Sequence, residues 1–375
     1  MDHIYNLSVK IGGRGTATEG EYKARDYIQE SFDRLGIKNT TEPFKTITSF
    51  SYPYILIYLV SIIGAAFLLF HRPVVSIILT GSGAVTFFLE NSSFEIASLM
   101  LPKGTSYNVI GHIPASGKAV RRVIVTAHYD SSRSSIMFSP RFVKGFRNTF
   151  IGVVISMFLM FILTALYWIT HVVWLKVLVG VLTLDPLVTV VLLIHREIRG
   201  QYTHGANDNA SGVAVLLGIA ERFSASPLAN TDIFLVATGA EEVGMAGMVS
   251  FVREHKDLVR DAYIINIDNC GAGKVSYIIE EGMIKQYAAD HTMVAIADKV
   301  AKGSSMNVTP RIYTMMSTDA LVPLSRGYRA MSIMAFDDEG MLPNWHWETD
   351  VFENVRPVPV NLAYEFATKM IASID

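Results

Sequence analysis

Cysteine is nearly absent from this chain: Cys270 is the only one in 375 residues. That excludes an internal disulfide framework and any metal site built on thiolates, so a bound metal would have to be held by His, Asp and Glu. Charge is scarce as well. Only 18% of residues are charged, and 32 basic residues against 34 acidic ones leave a formal charge of −2, which gives no electrostatic basis for a nucleic-acid partner. The opening stretch MDHIYNLSVKIGG lacks the basic, apolar and small-residue pattern of a secretory leader, and none is expected. Apolar residues, by contrast, make up half of the chain, with a mean hydropathy of +0.33. So apolar a chain has ample surface to bury, which excludes disorder and argues against an ordinary soluble protein.

The apolar excess is concentrated in four runs, residues 53–70, 73–89, 149–169 and 172–194. As helices at about 1.5 Å per residue, each is long enough to cross roughly 30 Å of hydrocarbon, and buried core helices rarely go so far without a charged face. Tyr52, Tyr54, Tyr58, Tyr167, Trp168 and Trp174 sit near the run ends, where interfacial aromatic belts form. His71-Arg72 and Thr170-His171 are the only links within each pair, so the runs are expected to form two antiparallel hairpins, 53–89 and 149–194. The remainder, 1–52, 90–148 and 195–375, is then one discontinuous body on one side of the membrane. Lys45, Lys103, Arg141, Lys144, Arg147, Arg196 and Arg199 flank that body, against Arg72 and Lys176 near the hairpin tips, and this bias predicts that the body faces the cytoplasm. Asp185-Pro186 interrupts the fourth run; it reads as a kink whose Asp faces a neighbouring helix or interfacial water, or as a functional acidic group at membrane depth.

Outside those runs the pattern changes. Thr18 and Glu21 form a capping box ahead of an apolar stripe at Ala24, Ile28, Phe32 and Leu35, predicting a helix over 18–35. Short β-branched runs at 123–127, 233–237, 262–267 and 331–336 alternate with helical patterns at 210–223 and 293–301, and a last helix is expected after Pro357 and Pro359. Alternation of this kind implies an α/β fold, with a mixed, mostly parallel sheet sandwiched by helices.

In such sheets functional groups gather beyond the carboxyl ends of the strands. Here the first run leads into His128-Tyr129-Asp130, the second into Glu241-Glu242, the third into Asp268, and a loop after the fourth carries Asn344-Trp345-His346. Asp208 lies in Gly-Ala-Asn-Asp-Asn-Ala-Ser-Gly, just before a predicted helix. Two histidines and several carboxylates on one rim suit zinc or a similar divalent ion bound through N and O atoms. The ordered set HYDS, GANDNASG, GAEEVG, INIDN and NWHWETD resembles the M28 family of di-zinc peptidases, in its aminopeptidase branch, over essentially the whole of the predicted soluble body.

That resemblance implies a zinc-exopeptidase fold and two zinc ions per chain. His128 and Asp268 would hold one, Glu242 and His346 the other, and Asp208 would bridge them. It also implies Glu241 as general base acting on a metal-bridging hydroxide, with Asp130 supporting His128 by accepting its second ring N–H. Asp350 or the backbone is the candidate partner for the second ring nitrogen of His346. Tyr313 and Tyr328 are alternative donors to the substrate carbonyl, and Asp319 is either a substrate contact or a helix cap. His204 reads as a surface or supporting residue, Arg311 as a salt-bridging one, and Cys270 as a small buried side chain. The apolar hairpins depart from the family's usual form; the second falls between His128 and Asp208, and is expected to keep the active site near the bilayer.

The expected activity is removal of N-terminal residues from peptides with a free N-terminus, with hydrophobic peptides arriving along the membrane surface as the working hypothesis. The lipid bilayer is the other expected partner, and oligomeric state is not legible. Two alternatives stay open: another M28 chemistry (carboxypeptidase, dipeptidase or glutaminyl cyclase), or an inactive membrane scaffold or transporter that kept the peptidase fold.

Overall fold

The computed structural model describes residues 1–91 and 96–375. Residues 92–95, near the start of the 90–148 segment predicted to rejoin the soluble body, lie outside that description. The chain divides into two compact units: residues 1–48, 104–134 and 201–375 form one, and residues 49–103 and 135–200 the other.

Among the described residues, the first unit is built on a nine-stranded mixed sheet. Its strands are β1 (Lys38–Thr46), β2 (Gly104–Ile113), β3 (Arg121–His128), β4 (Thr231–Thr238), β5 (Tyr263–Ile267), β6 (Lys274–Glu281), β7 (Tyr287–Ala288), β8 (Thr309–Tyr313) and β9 (Ala330–Phe336). The order is β1-β2-β4-β3-β5-β9-β6-β7, with β8 beside β6. β4, β3, β5 and β9 run parallel at the centre; β1, β2, β6 and β7 add antiparallel pairs toward the two ends.

The central strands are mostly apolar because helices cover both faces. Val123, Val125 and Ala127 of β3 face a large core completed by the helices Glu19–Arg34, Ser211–Ala225, His291–Gly303 and Pro357–Ile374. Ile124 of the same strand points the other way, into a smaller core with Met248, Phe251 and Val252 of the helix Ala246–Glu254. Thr18 caps the first helix as its spacing predicts, accepting from the Glu21 N–H. The last helix begins at Pro357 rather than after Pro359; both prolines fit a first turn, where an N–H has no intrahelical partner.

The second unit inverts the soluble pattern. Among its described residues, four helical stretches are long and apolar enough to cross a membrane: Ser51–Leu69, Pro73–Glu90, Val143–Thr170 and Trp174–Arg199. Ile57, Tyr58, Phe87, Met157 and Val190 pack inward, while Ile78, Phe88, Ile162, Val177 and Val191 are exposed. The fourth stretch is broken into Trp174–Leu182 and Leu184–Arg199. Pro186 has no N–H to offer Leu182, so the ladder lapses one turn ahead of it. Asp185, just inside the second piece, has a partner: the Ser156 hydroxyl of the neighbouring helix donates to it at 2.6 Å.

Candidate metal centre

β3, β4 and β5 end side by side, and their parallel register brings the residues just past each strand onto one rim. β3 ends on His128. β4 continues through Thr238, Gly239 and a left-handed Ala240 into a single 3-10 turn, Glu241–Val243. That turn removes the alternation of a strand, so Glu241 and Glu242 need not point apart. Asp268 comes directly after β5, and His346, itself left-handed, lies in the loop after β9.

The Asp208 loop is the most heavily braced of these. Asn207 donates to Asn269 Oδ1 and to the Pro343 carbonyl and accepts from the Gly271 N–H. Asn209 donates to the Ile267 carbonyl and accepts from the N–H groups of Gly212 and Asn269. Asp350 accepts from the backbone N–H groups of Asn207 at 2.6 Å and Asp208 at 3.1 Å. The peptide between Asp208 and Asn209 is cis.

Held this way, Asp208 aims its two oxygens at different histidines. Oδ1 lies 3.1 Å from His128 Nε2, and Oδ2 lies 3.2 Å from His346 Nε2. Asp268 Oδ1 is 3.5 Å from the same His128 nitrogen, and Glu242 Oε2 is 3.1 Å from the same His346 nitrogen. Two triads capable of holding a cation result, His128–Asp208–Asp268 and Asp208–Glu242–His346, with Asp208 in both. Ligand bonds of about 2.0–2.1 Å in a tetrahedral arrangement place donor atoms about 3.3 Å apart, close to the separations here. Glu242 Oε1 is buried with no hydrogen-bond partner among the described residues, as suits an oxygen turned toward a cation. The donor set, neutral imidazole and carboxylate without sulfur, fits zinc.

The electrostatics say the same. Burial alone would lower His128, but Glu241, Asp130, Asp208 and Asp268 around it hold it well above the ordinary imidazole range. His346, whose burial is likewise outweighed, is pushed up to about 9 by Glu242 and Asp208. Desolvation, reinforced by Glu242, Asp319 and Asp268, pushes Glu241 well above the carboxylate range, with His128 pulling the other way. So many carboxylates around two imidazoles leave an excess of negative charge that bound cations would offset.

The other candidates divide. Asp130 Oδ1 lies 3.4 Å from His128 Nδ1. Its hydrogen bonds also serve the next strand end, where Oδ1 accepts from the Glu241 N–H at 3.0 Å and Oδ2 from the Glu242 N–H at 3.2 Å. Tyr313 is buried, and desolvation together with Asp268 and Asp208 keeps its hydroxyl a phenol far above the usual range. Tyr328 packs against the smaller core that holds Val259, Ala262 and Leu324. Asp319 accepts from the Thr238 hydroxyl at 2.5 Å while its other oxygen is buried without a hydrogen-bond partner among the described residues; burial pushes it up to about 7. His204 is exposed, and Arg311 stacks on Phe336 at 4.6 Å. Cys270 is fully buried, its thiol donating to the carbonyls of Ile333 and Asp268.

Sequence reasoning missed the bracing roles of Asn207, Asn209, Arg14 and Glu21. The Asn residues flanking Asp208 were visible in the motif, but their partners lie about 60 residues away in the chain and have no periodic signature.

Residues 185–368 match the family model described as Peptidase family M28. A zinc aminopeptidase from Bacillus subtilis superposes with a TM-score of 0.59 at 14% identity, covering 99% of this chain and 93% of its own. A Zn-dependent exopeptidase from Parabacteroides distasonis gives 0.58 at 15% identity, with 99% and 95% covered. A glutaminyl cyclase from Bacteroides thetaiotaomicron gives 0.57 at 14% identity, with 98% and 94% covered. No curated protein matches the chain. The fold is that of the zinc exopeptidases, and the chain carries a metallopeptidase of peptidase family M28.

Proposed function

We propose that this metallopeptidase is a membrane-anchored aminopeptidase that holds two zinc ions and removes N-terminal residues from peptides. One observation carries the reading: each oxygen of Asp208 faces a different histidine, and each of those histidines has a second carboxylate on the same nitrogen. When bound, the ions supply Lewis acidity to a water and to the scissile carbonyl.

The chain's own residues do the rest. Glu241 belongs to neither triad, yet its turn also supplies the ligand Glu242, so its carboxylate stands beside the site without being consumed by it. It takes the proton of the attacking water and returns it to the leaving amine. Asp130 fixes that turn through two backbone hydrogen bonds and lies against the ring nitrogen of His128 that faces away from Asp208. Tyr313, kept protonated, is the better placed of the two tyrosines to donate to the carbonyl oxygen, because Asp208 and Asp268 act directly on it. Asp319 acts beside Glu241 as a substrate contact.

The four apolar stretches anchor the protein in the bilayer with the peptidase unit toward the cytoplasm, on the strength of the basic residues flanking that unit. One insertion interrupts the chain between β1 and β2 and the other between His128 and Asp208. Through that connectivity we assign hydrophobic peptides at the membrane surface as substrates. Cyclase chemistry is the second reading because a glutaminyl cyclase shares the fold; two complete triads favour hydrolysis.

The test is digestion of a peptide library, half of it N-acetylated, by the zinc-loaded protein and by Glu241→Gln, with bound metal measured in both. Wild type should release residues only from free N-termini. Glu241→Gln should lose about 10²–10⁴-fold in kcat while keeping its metal. Release from the C-terminus, pyroglutamate as the only product, or no turnover at all would each overturn the reading.

A further inference from the structure

A stretch of ten residues near the start of the chain, 12–21, reaches three of the five segments that build the site: the end of β3, the Asp208 loop and the turn that carries Glu241 and Glu242. It lies outside the segment that matches the peptidase family. Its glycines let it lie close against the body of the unit: a Cβ on Gly15 would come 2.0 Å from ring atoms of Tyr202, and one on Gly20 would come 2.1 Å from the Gly13 carbonyl.

Arg14 is at its centre and is fully buried. Its Nε donates to the Tyr129 carbonyl at 2.7 Å, immediately after the ligand His128. Its terminal nitrogens donate to His204 at 2.6 Å and Gly205 at 2.8 Å, at the start of the Asp208 loop, and to the carbonyls of Leu7 and Gly12. The Arg14 N–H donates to Ser131 Oγ, and the Ser131 N–H donates back to the Arg14 carbonyl. Only a planar fork with several fixed donors can tie two loops in this way. Two residues on, Thr16 donates to Asp130 Oδ2 at 3.2 Å. At the far end, Glu21 accepts from the Ala17 N–H, the Ser106 hydroxyl and the Ala240 N–H, the last being the residue ahead of Glu241. The N–H groups of Ala240, Glu241 and Glu242 are therefore all taken by two carboxylates, Glu21 and Asp130.

We propose that residues 12–21 form a positioning strap for the metal centre, with Arg14 as the positioning residue that sets the His128 and Asp208 loops at cation-binding distance and places a buried positive charge behind their carboxylates. This rests on the proposed zinc centre and adds the element that assembles it. The guanidinium touches no reacting atom; it acts through the carbonyls it holds.

The test uses the full chain in detergent micelles. Zinc affinity is read by competition with a chelator, and kcat per bound zinc and KM are read on a peptide with a free N-terminus. Arg14→Met should weaken zinc binding by about tenfold or more and lower kcat per bound zinc by a similar factor, with KM nearly unchanged. Arg14→Lys keeps the charge but not the fork, and should recover only part of the affinity. A role confined to overall stability would lower the melting temperature and leave affinity and kcat per bound zinc at wild-type values, and that result in either folded variant overturns the proposal. If neither Arg14 variant folds, Thr16→Val decides: a severalfold loss of kcat supports the strap, and wild-type values overturn it. Failure of the wild-type protein itself to bind zinc would sink the proposed centre instead.

Discussion

Asp350 accepts the backbone N–H of Asp208 at 3.1 Å, so the residue whose oxygens face both histidines is itself held, through its main chain, by another carboxylate. The same carboxylate takes the Asn207 N–H at 2.6 Å. Burial, with Asp208 nearby, pushes Asp350 up to about 7. A buried acid so close to Asp208 is costly, and what it secures is the shape of the loop.

Removing it should show in metal binding first. Asp350→Ala leaves two buried N–H groups without their acceptor and frees the loop to relax. We expect zinc affinity to fall by about 10–100-fold, with kcat falling alongside. Chelator competition on the purified protein measures the first, and peptide turnover the second. Unchanged affinity would mean that Asn207 and Asn209 hold the loop unaided.

Metal removal is expected to destabilise the whole peptidase unit. Without cations, Asp208, Glu242 and Asp268 stand close together in a buried site. A ligand that binds only the folded state adds about 4 kcal/mol when present at 1,000 times its dissociation constant. Differential scanning calorimetry with and without chelator should show a lower transition temperature in the chelated protein, recovered on adding zinc. Coincident transitions would count against any site of useful affinity.

A third expectation concerns Glu281, at the end of β6. Its carboxylate accepts from the Thr318 N–H and hydroxyl and from the Ser332 hydroxyl. Ser332 in turn accepts from Asn266, which accepts from Thr126, so a row of polar side chains crosses β6, β9, β5 and β3. Burial pushes Glu281 up to about 7. The folded state therefore favours the protonated acid. Its stabilising contribution is complete below the ordinary carboxylate range and is lost as pH rises through about 7. Glu281→Gln, always neutral, should match wild type near pH 4 and exceed it above pH 8 by about 3 kcal/mol. Thermal melts of both proteins across that range provide the check; parallel curves would show that the acid is never charged or never buried.

Much of this architecture is legible in the chain itself. The β-branched runs locate β3, β4, β5 and β9, because strands covered on both faces must be apolar along most of their length. Polar residues at the ends of such runs then have few places to go, which is why His128, Glu242 and Asp268 could be singled out. The edges were not legible. β1, β6 and β8 carry mixed residues such as Lys38, Glu42, Lys274 and Arg311, and only pairing with a neighbour makes them strands. Supporting contacts were hidden for another reason. Glu21 reads as a capping-box residue, and its second task, accepting from Ala240, depends on a contact 219 positions away. Asp130 was expected to serve His128, and its bonds to the Glu241–Glu242 turn arise from how β3 and β4 align rather than from any spacing in the chain.

β1 and β2 are direct neighbours in full register from Lys38 opposite His112 to Thr46 opposite Gly104, and residues 47–103 lie between them. During synthesis the first strand therefore emerges long before its mate, with a pair of greasy helices to be made in the interval. The sheet edge cannot zip until residues 47–103 have left the ribosome. Pairing of β1 with β2 is thereby delayed behind the synthesis of two apolar helices, and until it is complete the β1 edge stands open to association with other chains.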